Sequence, residues 1–379
     1  MGKRFLFVIP PFHGHLNPAV AVARELIERG HAVAWVTSSS MREVLPEGAA
    51  VYDSIGRGYE WSSEKTHELT ELPRADQFYA YYRELVLPAA VAGLDDVTRA
   101  CDEFRPHALF VDQHALAGAI VARRRDLPWA TSAPSQQLMN PLRHLIQPWI
   151  DERVAELGDA CGVAALREVS PALVVAYTSA LLVPEDSAAP QVRFVGPAID
   201  PRRFVENDVL SELRPGPKVL VSLSTIYGNE GDAFLLKLGD ALHRGGMQGI
   251  FSSSSPELAR LPAPAVVRPW LPLLTLMPHV DAVVSHGGAN TAHEALYFGK
   301  PLVFAPLAFD NFMVAQAAVG AGAAIRLRIR RATERDIERV MGEIVGNASY
   351  REAAERIGVS LRAGGGGAAA ADALLELVA

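Results

Sequence analysis

The sequence predicts an α/β chain built from two doubly wound parallel-sheet domains. Short, continuously apolar runs of strand length alternate with amphipathic helical stretches, as they do when parallel strands are buried on both faces. The alternation lapses after about residue 197, crosses a proline-rich stretch, and restarts at residue 218. The chain has 379 residues of which 49% are hydrophobic, which suits two large cores better than one and excludes a disordered or fibrous protein.

The first apolar run is residues 5–9, Phe-Leu-Phe-Val-Ile, followed by a loop over 10–17. Ala19, Val22, Ala23, Leu26 and Ile27 then fall on one helical face, and Gly30 is a natural stop. A strand is expected at Ala32–Thr37, and another over 108–111 that ends at Asp112. A helix over about 115–125 and a strand near Trp129 continue the pattern, which ends around 194–197. Residues 201–217 hold several prolines and no periodic face, and read as a linker. Strands are then expected over 218–223, 249–252, 265–268, 282–285 and 302–305. Thr333 and Asp336 form a capping box ahead of a helix whose buried face is Ile337, Val340, Met341, Ile344 and Val345. The glycines of 364–367 break the chain before a last short helix over 368–378. The expected division is therefore 1–200, a linker over 201–217, 218–360, and a tail over 361–379.

A net charge of −7 without a basic tract argues against a nucleic-acid partner. Cys101 and Cys161 lack metal-ligand spacing and read as free thiols. The apolar run at 5–9 is too short for a signal segment, and no stretch reaches the ~18 apolar residues of a membrane span. A soluble, cytoplasmic protein, monomeric or homodimeric, is expected.

The richest stretch runs from Trp270 to Asn311. Trp270-Leu271-Pro272 opens it with an aromatic plate. The strand over 282–285 delivers His286-Gly287-Gly288 onto a helix start at Ala289-Asn290-Thr291, and Glu294 lies one turn on. A helix N-terminus offers unpaired N–H groups and partial positive charge, so it attracts phosphate. Two glycines let the backbone approach an anion. Asn290 and Thr291 add polar groups in the first turn, His286 can donate to a phosphate oxygen, and Glu294 shares the helix face of Asn290 and can accept from ribose hydroxyls.

This stretch closely resembles the donor-binding signature of family 1 glycosyltransferases, in particular the bacterial natural-product group. The resemblance implies the GT-B architecture, two Rossmann-like domains facing across a cleft, the first for the acceptor and the second for the nucleotide sugar. It implies that Trp270 stacks on the nucleobase while the Leu271 backbone reads the base edge. His286, Gly288, Asn290 and Thr291 would hold the diphosphate, Glu294 the ribose, and Asp310 with Asn311 the sugar hydroxyls. Thr225, in Ser222-Leu223-Ser224-Thr225 after the first strand of the second domain, would offer a hydroxyl to the β-phosphate. Three positions depart from the usual pattern: Asn311 stands for glutamine, Leu273 for glutamine, and Ser224 for glycine. The tail helix would fold back on the first domain.

His15, in Gly14-His15-Leu16-Asn17-Pro18, and Asp112 stand at the carboxyl ends of two strands of the first sheet. A histidine near neutral pKa can take a proton from an acceptor hydroxyl, and a carboxylate on its other ring nitrogen fixes the tautomer. The resemblance gives the same pair, with Gly-His-x-x-Pro carrying the base. His13 and His114 are competitors, either of which could line an acceptor pocket, and both read as structural or solvent-facing. Tyr59, Trp61, Phe78, Tyr79, Tyr81 and Tyr82 form one aromatic set, and Leu138, Met139, Leu142, Leu145, Ile146 and Trp149 a second apolar set. Such stripes are commonly core. The resemblance places these segments around the acceptor, with His13, Tyr79, Tyr82 and Met139 as the expected contacts.

The combined expectation is an inverting glycosyltransferase that moves a hexose or deoxyhexose from a UDP- or dTDP-sugar to a hydroxyl of a lipophilic small molecule. No Asp-x-Asp metal motif is present, so neither a metal nor another cofactor is expected, and helix N–H groups and hydroxyls would do the work of a cation. The rivals are another GT-B enzyme, such as a lipid-intermediate transferase or a UDP-sugar 2-epimerase, and a non-catalytic nucleotide-sugar-binding or activator protein. Having both His15 and Asp112 speaks against the last.

Overall fold

The computed structural model describes residues 2–53, 68–69, 71–139, 143–184, 189–223, 228–306 and 310–379. The chain divides into two compact units, one of residues 1–200 with 363–379 and one of residues 201–362.

The first unit holds a seven-stranded sheet in the order β3-β2-β1-β4-β5-β6-β7, with every paired neighbour parallel. Its strands are β1 Arg4–Val8, β2 Ala32–Thr37, β3 Ala50–Asp53, β4 Ala108–Asp112, β5 Trp129–Ala133, β6 Val174–Ala176 and β7 Val192–Phe194. The continuous apolar run of β1 has the expected cause, since side chains alternate between two buried faces. Leu6 and Val8 join one core, with Val97, Leu109 and Ile120, while Phe5 and Phe7 join the other, with Ala19, Val22, Trp35 and Phe110.

The helix His13–Glu28 covers the second of these faces. It starts earlier than the sequence pattern indicates, so His15 sits in its first turn and not in a loop. The backbone N–H groups of His15 and Leu16 both donate to the Phe12 carbonyl, which closes that turn ahead of Pro18. The tail helix Gly366–Glu376 packs against this helix and buries Ala370, Ala371 and Leu374 in the same core. It begins at Gly366, two residues before the expected start. Lys3 Nζ donates to the Val378 carbonyl at 2.6 Å and ties the tail to the first strand.

The second unit holds a six-stranded parallel sheet in the order β10-β9-β8-β11-β12-β13. These are β8 Lys218–Ser222, β9 Gln248–Ser252, β10 Val266–Arg268, β11 Ala282–Ser285, β12 Leu302–Phe304 and β13 Ala324–Arg326. The helices Gly228–Arg244 and Glu334–Gly346 pack on each other over one face, burying Phe234, Leu238, Ile337, Val340, Met341 and Ile344. The Thr333–Asp336 capping box forms, with Thr333 Oγ1 accepting from the Asp336 N–H at 3.2 Å and Asp336 Oδ2 accepting from the Thr333 N–H at 3.0 Å.

Residues 201–217, expected to be a linker, belong to the second unit and pack on it. Val209 is fully buried, the Val205 N–H donates to Thr275 Oγ1 at 3.0 Å, and the Phe204 ring meets Phe298 edge-on at 6.2 Å. Prolines and charges mark the segment as irregular, yet it forms two short helices, Pro201–Arg203 and Val209–Glu212, and the backbone between them is still anchored. The short strands β3, β6, β7 and β13 were not anticipated, because three or four residues carry too little pattern to register. Among the described residues, no helix is long and apolar enough to cross a membrane.

Candidate active site

Each sheet reverses its strand order once, between β1 and β4 in the first unit and between β8 and β11 in the second. Chains leaving neighbouring strands at such a point turn to opposite faces, and a crevice opens at the carboxyl ends. His15 and Asp112 in the first unit, and His286 in the second, lie next to these two points.

In the first unit, β1 and β4 pair with Val8 opposite Val111, so Asp112 ends one strand beside the chain that leads from the other to His15. His15 Nδ1 lies 2.8 Å from Asp112 Oδ2, with the His15 side chain 16% exposed and that of Asp112 fully buried. A carboxylate oxygen can only accept, so this contact assigns the ring proton to Nδ1 and the basic lone pair to Nε2. The second oxygen, Asp112 Oδ1, accepts from the backbone N–H of His114 at 3.0 Å. Both carboxylate oxygens are therefore fixed.

His114 is buried, not solvent-facing. Its Nδ1 lies 3.0 Å from the Tyr81 hydroxyl and its Nε2 3.1 Å from Gln137 Oε1. Burial first, and the neighbouring His15 second, push its pKa down to about 4. It is neutral at physiological pH and serves as a polar wall beside His15, whose ring centroid is 5.3 Å away. His15, Asp112 and His114 bring ligand atoms within 4.8 Å of one another, close enough to hold a metal ion. The ring nitrogens of His114 are, however, already engaged by Tyr81, Gln137 and Gln113.

The acceptor contacts expected from the sequence separate. His13 is exposed at the first position of its helix. Tyr79 is half-buried with its ring 4.9 Å from that of Trp149. Tyr82 is instead a core residue, 1% exposed, and its hydroxyl donates to the buried Glu168 carboxylate, which also pairs with Arg143. Burial raises the Tyr82 pKa far above the ordinary range. Aromatic spacing could not distinguish Tyr82 from its neighbours, because the ion pair that anchors it comes from residues 143 and 168. Met139 is buried and lines a pocket of about 560 Å³ together with Leu138, Arg143, Gln147, Glu168 and Val192. Tyr59, Trp61 and Leu142 lie outside the described residues.

In the second unit, β8 and β11 pair with Ser222 opposite Ser285, which brings the residue after β11, His286, against the end of β8. Burial pushes the His286 pKa down to about 4, against a hydrogen bond to the Ser222 backbone that raises it. At neutral pH His286 is an uncharged hydrogen-bonding group. The two glycines that follow are dictated by close approach. Gly287 has φ +102°, and a Cβ there would stand 2.6 Å from the Asn311 carbonyl oxygen. A Cβ on Gly288 would stand 2.7 Å from His286 Nε2. Gly288 caps the helix Ala289–Tyr297, and Asn290 and Thr291 are half-buried in its first turn.

Trp270 is 67% exposed, an uncovered aromatic face, while Leu271 beside it is buried. Asp310 is half-buried at the start of the helix Asn311–Gly320, and Asn311 is buried at its first position. Glu294 is buried and paired: Arg203 Nη1 donates to its Oε1 at 2.6 Å. Arg203 was missed from the sequence, since no spacing rule links residue 203 to residue 294. Thr225 and Ser224 lie outside the described residues.

Residues 249–374 match the family model described as Erythromycin biosynthesis protein CIII-like, C-terminal domain. Curated proteins that align over nearly the whole chain include two antibiotic-named relatives. One is the 4'-demethylrebeccamycin synthase of Lentzea aerocolonigenes, 27% identical over 94% of this chain and 95% of that protein. The other is the demethyllactenocin mycarosyltransferase of Streptomyces fradiae, 25% identical over 98% of this chain and 86% of that protein. The chain is a GT-B glycosyltransferase. The crystal structure of the glycotransferase of kitacinnamycin has the same fold, with a TM-score of 0.83 at 23% identity, covering 99% of each chain. The transferase therefore carries its His–Asp pair and its His-Gly-Gly turn at equivalent points of two similar sheets.

Its neutral histidines make stability pH-dependent in a definite direction. The pKa values of His114, His286 and His293 all lie near 4, below the ordinary 6.5 of an unfolded chain. The unfolded state thus takes up protons first, and stability, complete above about pH 6.5, is lost as pH falls toward 4. His293→Gln should remove one such uptake and flatten the loss by up to about 1.4 kcal/mol per pH unit across that window. Denaturant unfolding of both proteins between pH 8 and 4.5 measures it, and parallel curves would refute the assignment.

Proposed function

We propose that this transferase is inverting and metal-independent, and moves a hexose or deoxyhexose from a UDP- or dTDP-sugar to a hydroxyl of a lipophilic small molecule. The His15–Asp112 contact at 2.8 Å carries the reading. His15 Nε2 takes the acceptor proton while Asp112 holds the imidazolium that forms. The acceptor oxygen attacks the anomeric carbon, the bond from that carbon to the diphosphate oxygen breaks, and the nucleoside diphosphate leaves. A single displacement from the face opposite the leaving group inverts the anomeric centre.

Donor binding falls to the second unit. The exposed Trp270 face suits a stacked base, with the Leu271 backbone at its edge. His286, Asn290, Thr291 and the N–H groups after Gly288 suit the diphosphate. Because His286 is neutral, it supplies a hydrogen bond, and the helix N-terminus supplies the positive field for the growing charge. Glu294 is assigned to ribose hydroxyls, and Asp310 and Asn311 to the sugar. Two curated relatives named for making or glycosylating microbial natural products support an acceptor of that class.

Three outcomes test the proposal. His15→Ala should cut the rate of glycoside formation by ~10²–10⁴-fold while nucleotide affinity stays within about twofold. Wild-type turnover in that variant would move the base elsewhere. Trp270→Ala should weaken nucleoside diphosphate binding by ~10-fold or more, on ~1–3 kcal/mol for a stacked base. Unchanged affinity in the folded variant would remove Trp270 from the site. Turnover should persist in excess EDTA, and a loss restored only by Mg²⁺ or Mn²⁺ would overturn the metal-free mechanism.

A further inference from the structure

We propose that Arg203 is a positioning residue for the donor ribose, holding the Glu294 carboxylate so that its second oxygen meets a ribose hydroxyl. The inference rests on the nucleotide reading of the second unit given above.

Three observations carry it. Arg203 Nη1 donates to Glu294 Oε1 at 2.6 Å, which engages one carboxylate oxygen and leaves the other for a ligand. The Glu294 side chain is only 5% exposed, whereas that of Arg203 is 30% exposed. The cation is the more exposed partner, and among the described residues Glu294 forms an ion pair with no other cation. The strap that carries Arg203 is itself anchored twice. Phe204 packs on Phe298, just beyond the helix that holds Glu294. Val205 exchanges hydrogen bonds with Thr275 Oγ1 at 3.0 Å through both its N–H and its carbonyl, five residues after Trp270. One short segment is therefore pinned both to the helix assigned to ribose and to the turn that follows the residue assigned to the base.

The chemistry needs such a cation. Burial pushes the Glu294 carboxyl toward its protonated form, and Arg203 opposes this. A protonated or misaligned carboxyl is a poor acceptor for a sugar hydroxyl, whereas an aligned carboxylate makes the stronger charge-assisted bond. A hydrogen bond to a charged group is worth roughly ten- to a hundredfold in affinity.

The test compares binding of UDP and dTDP with their 3′-deoxy counterparts by titration calorimetry. The proteins are wild type, Arg203→Gln, Arg203→Lys, Glu294→Gln and the Arg203→Gln/Glu294→Gln double variant. Wild type should prefer the 3′-hydroxyl nucleotide by about tenfold or more. Glu294→Gln and Arg203→Gln should each erase most of that preference, and Arg203→Lys should restore part of it. The double variant should be no worse than either single, as for residues that act as a unit. It also leaves no unpaired buried charge, so it reports even if Arg203→Gln fails to fold. If Arg203→Gln keeps the full preference while Glu294→Gln loses it, the positioning role falls and the ribose assignment stands. The role also falls if Arg203→Gln weakens both nucleotides equally. If wild type shows no preference, or Glu294→Gln keeps it, the ribose assignment itself falls.

Discussion

The two histidine sites of this protein depend on where the strand order of its parallel sheets reverses. Between β1 and β4 the reversal sets Asp112 beside the chain leading to His15, across 97 residues of sequence. Between β8 and β11 it sets His286 against the end of β8. A parallel sheet buries both faces, so its strands can offer polar groups only at their ends, and the reversal is where two ends open onto one crevice. The buried apolar strands thereby fix the positions of side chains that contribute nothing to the core.

The histidines of the two sites differ in their surroundings. His15 keeps some exposure and has its Nδ1 tied to a fully buried carboxylate, which suits the base proposed above. His114 and His286 are driven by burial to stay neutral. The diphosphate proposed for this helix start would then meet its positive field in the backbone N–H groups, since His286, Asn290 and Thr291 carry no charge. Preorganised backbone dipoles need no rearrangement as charge grows on a leaving group. The glycines at 287 and 288 make room for that geometry, one for the Asn311 backbone and one for the His286 ring.

Buried ionic groups serve as supports around both sites. In the first unit Glu168 receives both Arg143 and the Tyr82 hydroxyl. In the second, Glu294 receives Arg203. A buried pair of this kind adds little net stability against an apolar replacement, but losing one member leaves a costly lone charge. The first of these pairs anchors a core tyrosine, and the second holds the carboxylate assigned above to ribose.

The sequence by itself determined the fold class, the long strands, the capped helix at Thr333 and the existence of the His286-Gly287-Gly288 turn. All of these rest on local periodicity or on residue types needed within a few positions of each other. It placed His15 and Asp112 at strand ends, and the pairing of β1 with β4 decided that they touch. Only the tertiary structure decided the rest. Short strands such as β6 and β13 are defined by partners, not by pattern. Tyr82 became core because Glu168, 86 residues away, needed its hydroxyl as a donor. Residues 201–217 became part of the second unit because Thr275 and Phe298 offered contacts that their own prolines and charges do not reveal. Arg203 met Glu294 across 91 residues, a distance over which a sequence carries no spacing rule, and only the packed strap brings cation and carboxylate together.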